Sequence, residues 1–311
     1  MTVRIGISGW RYARWRGVFY PQVLRQADEL NFAGRTFPTI EVNGTFYSLQ
    51  SPALFGRWAA ATPDDFVFAL KGPRFITHML KLKNAGPALA NFFASGVLRL
   101  DRKLGPILWQ LPPNFAFDAR KLAAFFALLP RDTDAAARLA RKHNAKLKSR
   151  AWLRAATKRK IRHALEVRHD SFLTPEFIAL LRKHDIALVC ADTVEWPLLM
   201  DVTSDFVYCR LHGSHELYAS GYDSRALGIW AKRIRSWAEG SEVAGPHASP
   251  SRPRRRKSRD VYVYFDNDAK VRAPFDALAL MKMLDSAAHP TPSPRIAQPD
   301  GPSRMGSSAP H

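Results

Sequence analysis

Apolar positions along this chain switch repeatedly between two periods, and that switching predicts its elements. Runs that alternate apolar and polar, or are apolar throughout, occur at residues 4–10, 39–43, 66–71, 105–113, 163–169, 186–192, 206–212 and 260–267. Successive side chains of a strand point to opposite faces, so period two marks a strand. Segments with helical spacing separate them, at 22–32, 52–61, 84–100, 118–129, 175–184, 224–238 and 274–284. Three helices open on capping residues: Ser51 before Pro52, Asp118, and Thr174 before Pro175. Gly72-Pro73 and Pro112-Pro113 stop the third and fourth strands.

Eight strands alternating with helices over this length predict an α/β fold, a (β/α)8 TIM barrel forming a single domain over residues 1–285. An open doubly wound sheet would carry Gly-x-Gly-x-x-Gly after its first strand, and that run is missing. Residues 131–162, rich in Ala, Leu, Lys and Arg but weak in any apolar stripe, read as a basic helical insertion. Residues 240–259 read as a basic flexible linker within the barrel. The Pro-, Ser-, Ala- and Gly-rich stretch 286–311 reads as a disordered tail.

The fifth strand shows where chemistry would sit. Ala164, Glu166 and Arg168 share one face, and Leu165, Val167 and His169 take the other. Positions facing the helical shell must be apolar, so the remaining positions point into the barrel. Applied to every strand, this rule selects Glu41, Asn43, Lys71, Gln110, Glu166, Arg168, Tyr208, Arg210 and His212. All lie near C-terminal strand ends, where barrels of this kind form their working mouth. Glu41 or Glu166 is then a candidate general base and His212 a catalytic candidate, with Lys71 and Arg210 holding an anionic group. Gly213-Ser214 and Asn267-Asp268 follow the last two strands, where many barrels seat a phosphate. The direction of Asp192 is left open by its parity with Leu188 and Cys190. A charge-paired plug that merely closes the barrel is the structural alternative.

A metal site would draw on His78, Glu166, His169, Asp192, His212, His215 and Asp266, but no Cys-x-x-Cys or His-Glu-x-x-His run occurs. No metal and no cofactor is expected. Aromatic residues crowd the same rim: Trp10, Tyr12, Tyr47, Phe75, Phe115, Trp196, Tyr218 and Tyr222. Rings interleaved with cations suit bases or sugars bearing phosphate.

Charge adds a second theme. Twelve basic residues against two acids in 131–162, with six unopposed in 252–259, carry +16 of the net +20. The strand-bearing framework is nearly balanced, so anionic contacts are expected from two appendages. Cys190 and Cys209, the two cysteines, sit in apolar strands and are expected to be buried thiols. With no charged leader, no apolar signal core and no run of roughly 18 apolar residues, a cytoplasmic protein without membrane contact is expected.

Motifs in seven of the eight strand regions resemble one family. They are Ile5-Gly-Ile-Ser-Gly-Trp10, Glu41-Val-Asn-Gly-Thr-Phe-Tyr47, Lys71 with Ile76-Thr-His78, Gln110-Leu-Pro-Pro113, Glu166-Val-Arg-His169, Arg210-Leu-His-Gly213 and Tyr264-Phe-Asp-Asn267. Together they resemble the YecE-like family (domain of unknown function 72) over about residues 3–285. That resemblance implies a TIM-barrel-like fold and supplies no established activity. Members commonly carry Asn-Asn where this chain has Asp266-Asn267. The combined expectation is a barrel binding, and possibly acting on, an anionic, phosphate-containing ligand such as a nucleotide or nucleic acid. A metal-dependent hydrolase or isomerase, and a non-enzymatic nucleic-acid-associated protein, are the alternatives.

Overall fold

A computed structural model describes residues 2–147, 150–213 and 217–288, side chains of the last three excepted. The strands are β1 (Val3–Ser8), β2 (Thr39–Val42), β3 (Val67–Lys71), β4 (Leu104–Gln110), β5 (His163–Glu166), β6 (Ala187–Asp192), β7 (Phe206–Leu211) and β8 (Asp260–Phe265). Each pairs in parallel with the next, and β8 closes onto β1 from Val3–Val261 to Ile7–Phe265. The fold is the expected (β/α)8 barrel. The helices are α1 (Glu29–Thr36), α2 (Gly44–Tyr47), α3 (Pro52–Ala60), α4 (Gly86–Ala94), α5 (Ala119–Leu128), α6 (Thr133–Ala140), α7 (Pro175–Lys183), α8 (Ser224–Ala238) and α9 (Ala273–Ala288).

Local chemistry fixes the helix ends. The side chains of Ser51, Asp118, Asp132, Thr174 and Asp223 accept from the backbone N–H three residues on, capping α3, α5, α6, α7 and α8. α1 starts later than the apolar spacing suggests. A tight turn over Gln26–Asp28 precedes it, and Pro38 forces Phe37 into extended backbone at its far end. α4 stops short of residue 100 because Gly96 takes a positive φ of 121°, turning the chain into two short, tight turns over Val97–Lys103 that break at Asp101.

Two apolar shells hold the barrel. Outward strand residues such as Ile7, Val42, Leu70, Trp109 and Val263 join the helices in the larger one. Inside, Phe206, Tyr208, Tyr262 and Tyr264 of β7 and β8 lie across from Ala69, Ala164, Ala187 and Ala191. Bulk on two strands is matched by methyl groups on three others, which lets the interior close at core density. Gly6 permits the β1–β2 approach, since a Cβ there would fall 1.9 Å from the Thr39 carbonyl oxygen. Cys190 and Cys209 are buried and reduced, Cys190 Sγ donating to Met200 Sδ at 3.3 Å.

The basic segments are less detached than their composition suggests. Of residues 131–162 only α6 and a turn at Ala145–Leu147 are helical among the described residues. Contacts outside the helix hold the rest. Asp132 bridges Lys160, Asn144 and Asn91 exchange hydrogen bonds of 3.0 Å, and Trp152 N–H donates to Ala94 O at 2.8 Å. Within 252–259, Arg259 is buried and donates to the backbone carbonyls of Ser241 and Arg254, so this cation anchors its loop. Helix α9 runs on to Ala288, past the expected start of the tail; residues 289–311 lie outside the described residues.

Candidate functional site

Arg210 organises the C-terminal end of the barrel. It projects inward from β7 and is fully buried among three carboxylates. Its Nε and Nη2 grip Glu41 of β2 at 2.9–3.2 Å, Nη1 donates to Glu166 of β5 at 2.6 Å, and Nη2 to Asp266 at 2.6 Å. Ser8 Oγ (2.5 Å) and Tyr208 OH (2.6 Å) complete the shell of Glu41. Gln110 Nε2 and Arg168 Nε each donate to Glu166 Oε1 at 2.8 Å. Trp196 lies 3.9 Å from the Arg168 guanidinium, and both Trp196 and Tyr218 pack edge-on against His212. Two aromatic rings therefore roof the charges.

Every inward residue chosen from alternation stands at this end, from five different strands. Burial alone would raise the Glu166 carboxyl, but Arg210, then Arg168, hold it well below the usual range. Asp266 is lowered in the same way, burial being outweighed by Arg210 and His212. Arg210 Nη1 stands 3.3 Å from His212 Nε2, and Nδ1 of the same ring lies 3.2 Å from Asp266 Oδ2 without being aligned as a hydrogen bond. Asn43 donates to Ser8 Oγ at 3.1 Å and keeps a buried, unpartnered Oδ1.

Lys71 differs from its neighbours. It is 8% exposed, and among the described residues its Nζ has no hydrogen bond or ion pair. Its contact is the face of Phe46, 4.3 Å away. Burial first, then Arg210, lowers the amine to about 8. His78 packs on the same ring and is lowered to about 4 by burial, then by the charges of Lys71, Arg168 and Arg74. That stretch of the mouth is electropositive.

Other candidates fall elsewhere. Asp192 turns outward and accepts from Trp230 Nε1 at 3.0 Å. His169 caps the turn at Ser171. Gly213 N–H donates to Tyr222 OH, and Asn267 Nδ2 ties Ser220 O to Asp276, so both serve the loops around them. Ser214 and His215 lie outside the described residues. No three His, Cys, Asp or Glu side chains converge on a metal position among the described residues. Ser8 escaped the sequence reading because Gly6 and Gly9 blur the alternation around it, although its parity with Arg4 and Gly6 places it inside. Asp266 belongs to the network.

Grooves of about 390 Å³ and 660 Å³ lie along the β1 to β3 side of the rim. Trp10, Tyr12, Asn43 and Trp58 line the first, Phe46, Phe75, Arg74 and Lys146 the second, and Tyr47 borders both. A cavity of about 630 Å³ at the opposite pole is lined by Arg4, Asp64, Arg102, Arg162 and Asp260. Two of its cations are paired there, Arg102 to Asp64 and Arg162 to Asp260 at 2.7 Å each, while Arg4 and Arg159 of the same lining form no ion pair among the described residues.

These features define a TIM-barrel protein with a buried arginine–carboxylate network at its C-terminal mouth. The sequence model for "Protein of unknown function DUF72" matches residues 4–299, and the chain belongs to that family. It is similar to the UPF0759 protein YecE of Escherichia coli K12, 29% identical over 127 residues. That alignment covers 41% of this chain and 43% of the relative. A DUF72 family protein from Thermotoga maritima MSB8 superposes with a TM-score of 0.69 at 25% identity, covering 92% of this chain and 100% of that one. One from Enterococcus faecalis V583 gives 0.63 at 16% identity, over 91% and 96% of the two chains. No helix of the described residues is long and apolar enough to cross a membrane.

Proposed function

We propose that the barrel mouth binds a small anionic ligand of the phosphate-containing class, received by Lys71 with Arg74 and Arg168 beside it. One observation carries this reading: Lys71 is a buried cation with no acceptor among the described residues, next to a network in which Arg210, the fully buried cation, is engaged on every nitrogen. An ammonium held that way is destabilising until an anion supplies the missing contact. The aromatic grooves beside it suit a ring or sugar attached to that anion.

Glu41 and Glu166 fit this reading as holders of Arg210. Both oxygens of each carboxylate are taken, and a base as acidic as Glu166 accepts protons poorly near neutrality. Calorimetric titration with inorganic phosphate and a set of nucleotides tests the proposal. Lys71→Ala is expected to weaken binding at least tenfold with the far-UV circular dichroism unchanged. Equal affinity in the variant would remove Lys71 from the ligand site.

A further inference from the structure

Lys71 has a property that anion recognition does not require. Its amine stands on the apolar face of Phe46 at the inner end of β3, nothing among the described residues accepts from it, and the fixed cation Arg210 shares its enclosure. A desolvated lysine beside a second cation is the setting that turns an ammonium into a nucleophile.

We propose that Lys71 forms an imine with an aldehyde or ketone whose other end carries the anionic group. The inference rests on the anion-binding reading only in placing that group toward Arg74 and Arg168. The Nζ lone pair attacks the carbonyl carbon, a C–N bond forms, and the π electrons move to oxygen. That oxygen takes the proton which nitrogen sheds, giving a carbinolamine. Transfer of the remaining N–H proton to that hydroxyl then breaks the C–O bond, water leaves, and the C=N double bond remains, with no oxidant or reductant consumed. His78 packs on the same Phe46 ring, with Thr77 on its Nδ1 at 2.9 Å and Nε2 unengaged among the described residues. In the proposed step it passes the proton between nitrogen and oxygen. The lowered amine, at about 8, leaves roughly a tenth of Lys71 neutral at pH 7, where an ordinary lysine is almost wholly charged.

The test uses the full chain, pyridoxal 5′-phosphate as an aldehyde bearing phosphate, pyridoxal as the same aldehyde without it, and cyanoborohydride to reduce any imine. Peptide mass spectrometry then locates the label. The phosphorylated aldehyde is expected to label Lys71 at least tenfold faster than the exposed Lys81 and Lys83, with a rate that climbs through about pH 8. Pyridoxal is expected to label Lys71 at least tenfold more slowly. Lys71→Arg, checked for folding by its melting curve, should lose that label alone. Label confined to surface lysines, with phosphate binding intact, would overturn the imine and leave the anion reading standing. Equal labelling of Lys71 by both aldehydes would keep the imine and remove the anion contact.

Discussion

Arg210 and Lys71 are two cations of one mouth with opposite energetic positions. Arg210 is enclosed by Glu41, Glu166 and Asp266, so its removal leaves Glu41 and Asp266 without their arginine and Glu166 with Arg168 alone. Breaking a buried pair from one side costs about 3–5 kcal/mol, and Arg210→Met is expected to destabilise by at least that. The pH dependence separates this from lost packing. In the native protein the depressed Glu166 and Asp266 contribute stability that is full above ordinary carboxylate values of about 4 and drains away as pH falls below them. In Arg210→Met the carboxyls of Glu166 and Asp266 lose the main cause of that depression and shift upward. The deficit should then be largest at neutral pH and shrink below about pH 5, as read from urea unfolding at several pH values. Lys71 gives the same slope with pH for the opposite reason, because its charged form is the one that burial penalises. Its folded value of about 8 lies below the ordinary 10.5, so the unfolded chain binds more protons and stability rises with pH between those values. Lys71→Met is expected to stabilise at pH 7 by on the order of 2–3 kcal/mol, with the gain disappearing above about pH 10. A gain in melting temperature with a loss of binding would mark a residue kept for function; a loss in both would make it structural.

Among elements, α6 and the chain after it show how composition misleads and contacts decide. Alanines 136, 137 and 140 are buried in the outer shell, while the basic residues around them gave no apolar stripe long enough to place a helix. The chain beyond α6 is held by single contacts, above all the reciprocal pair of Asn91 on α4 with Asn144. Asn91→Ala breaks both hydrogen bonds and should cost about 1–2 kcal/mol. Limited trypsin digestion should then cut faster after Arg141, Lys142 and Lys146; an unchanged rate would mean that Trp152 and its contact with Ala94 suffice. The strands were legible because one rule governs both of their faces: the helical shell accepts only apolar side chains, leaving Glu41, Lys71, Glu166 and Arg210 no direction but inward. Where that rule weakens, legibility fails. Asp192 shares the apolar parity of β6 and points outward to Trp230, a partner remote in sequence. Similarly, α1 was displaced by a turn whose hydrogen bond at Asp28 leaves no periodic trace.

Over the whole molecule, much of the charge that dominates composition lies apart from the charge that makes the mouth, Lys146 in the rim groove being an exception. The loop joining α8 to β8 enters at the N-terminal pole and exposes Arg254, Arg255, Arg256 and Lys257, and Arg159, Lys160 and Arg162 lie at that same pole. At the mouth, Lys71, Arg168 and Arg210 stand against Glu41, Glu166 and Asp266, so the site works by placement rather than by excess charge. A polyanion attracted by the net +20 is therefore expected to bind away from the mouth and to leave it open. Replacing Arg254, Arg255 and Arg256 with Glu should weaken DNA or heparin binding and reduce its log–log salt slope by about 0.9 for each DNA phosphate left unneutralised. Phosphate affinity at the mouth should be unchanged in that variant, and saturating heparin should not displace phosphate from the native protein. Competition between the two would join the poles into one surface, and would require the basic loop to reach around a barrel whose strands separate them.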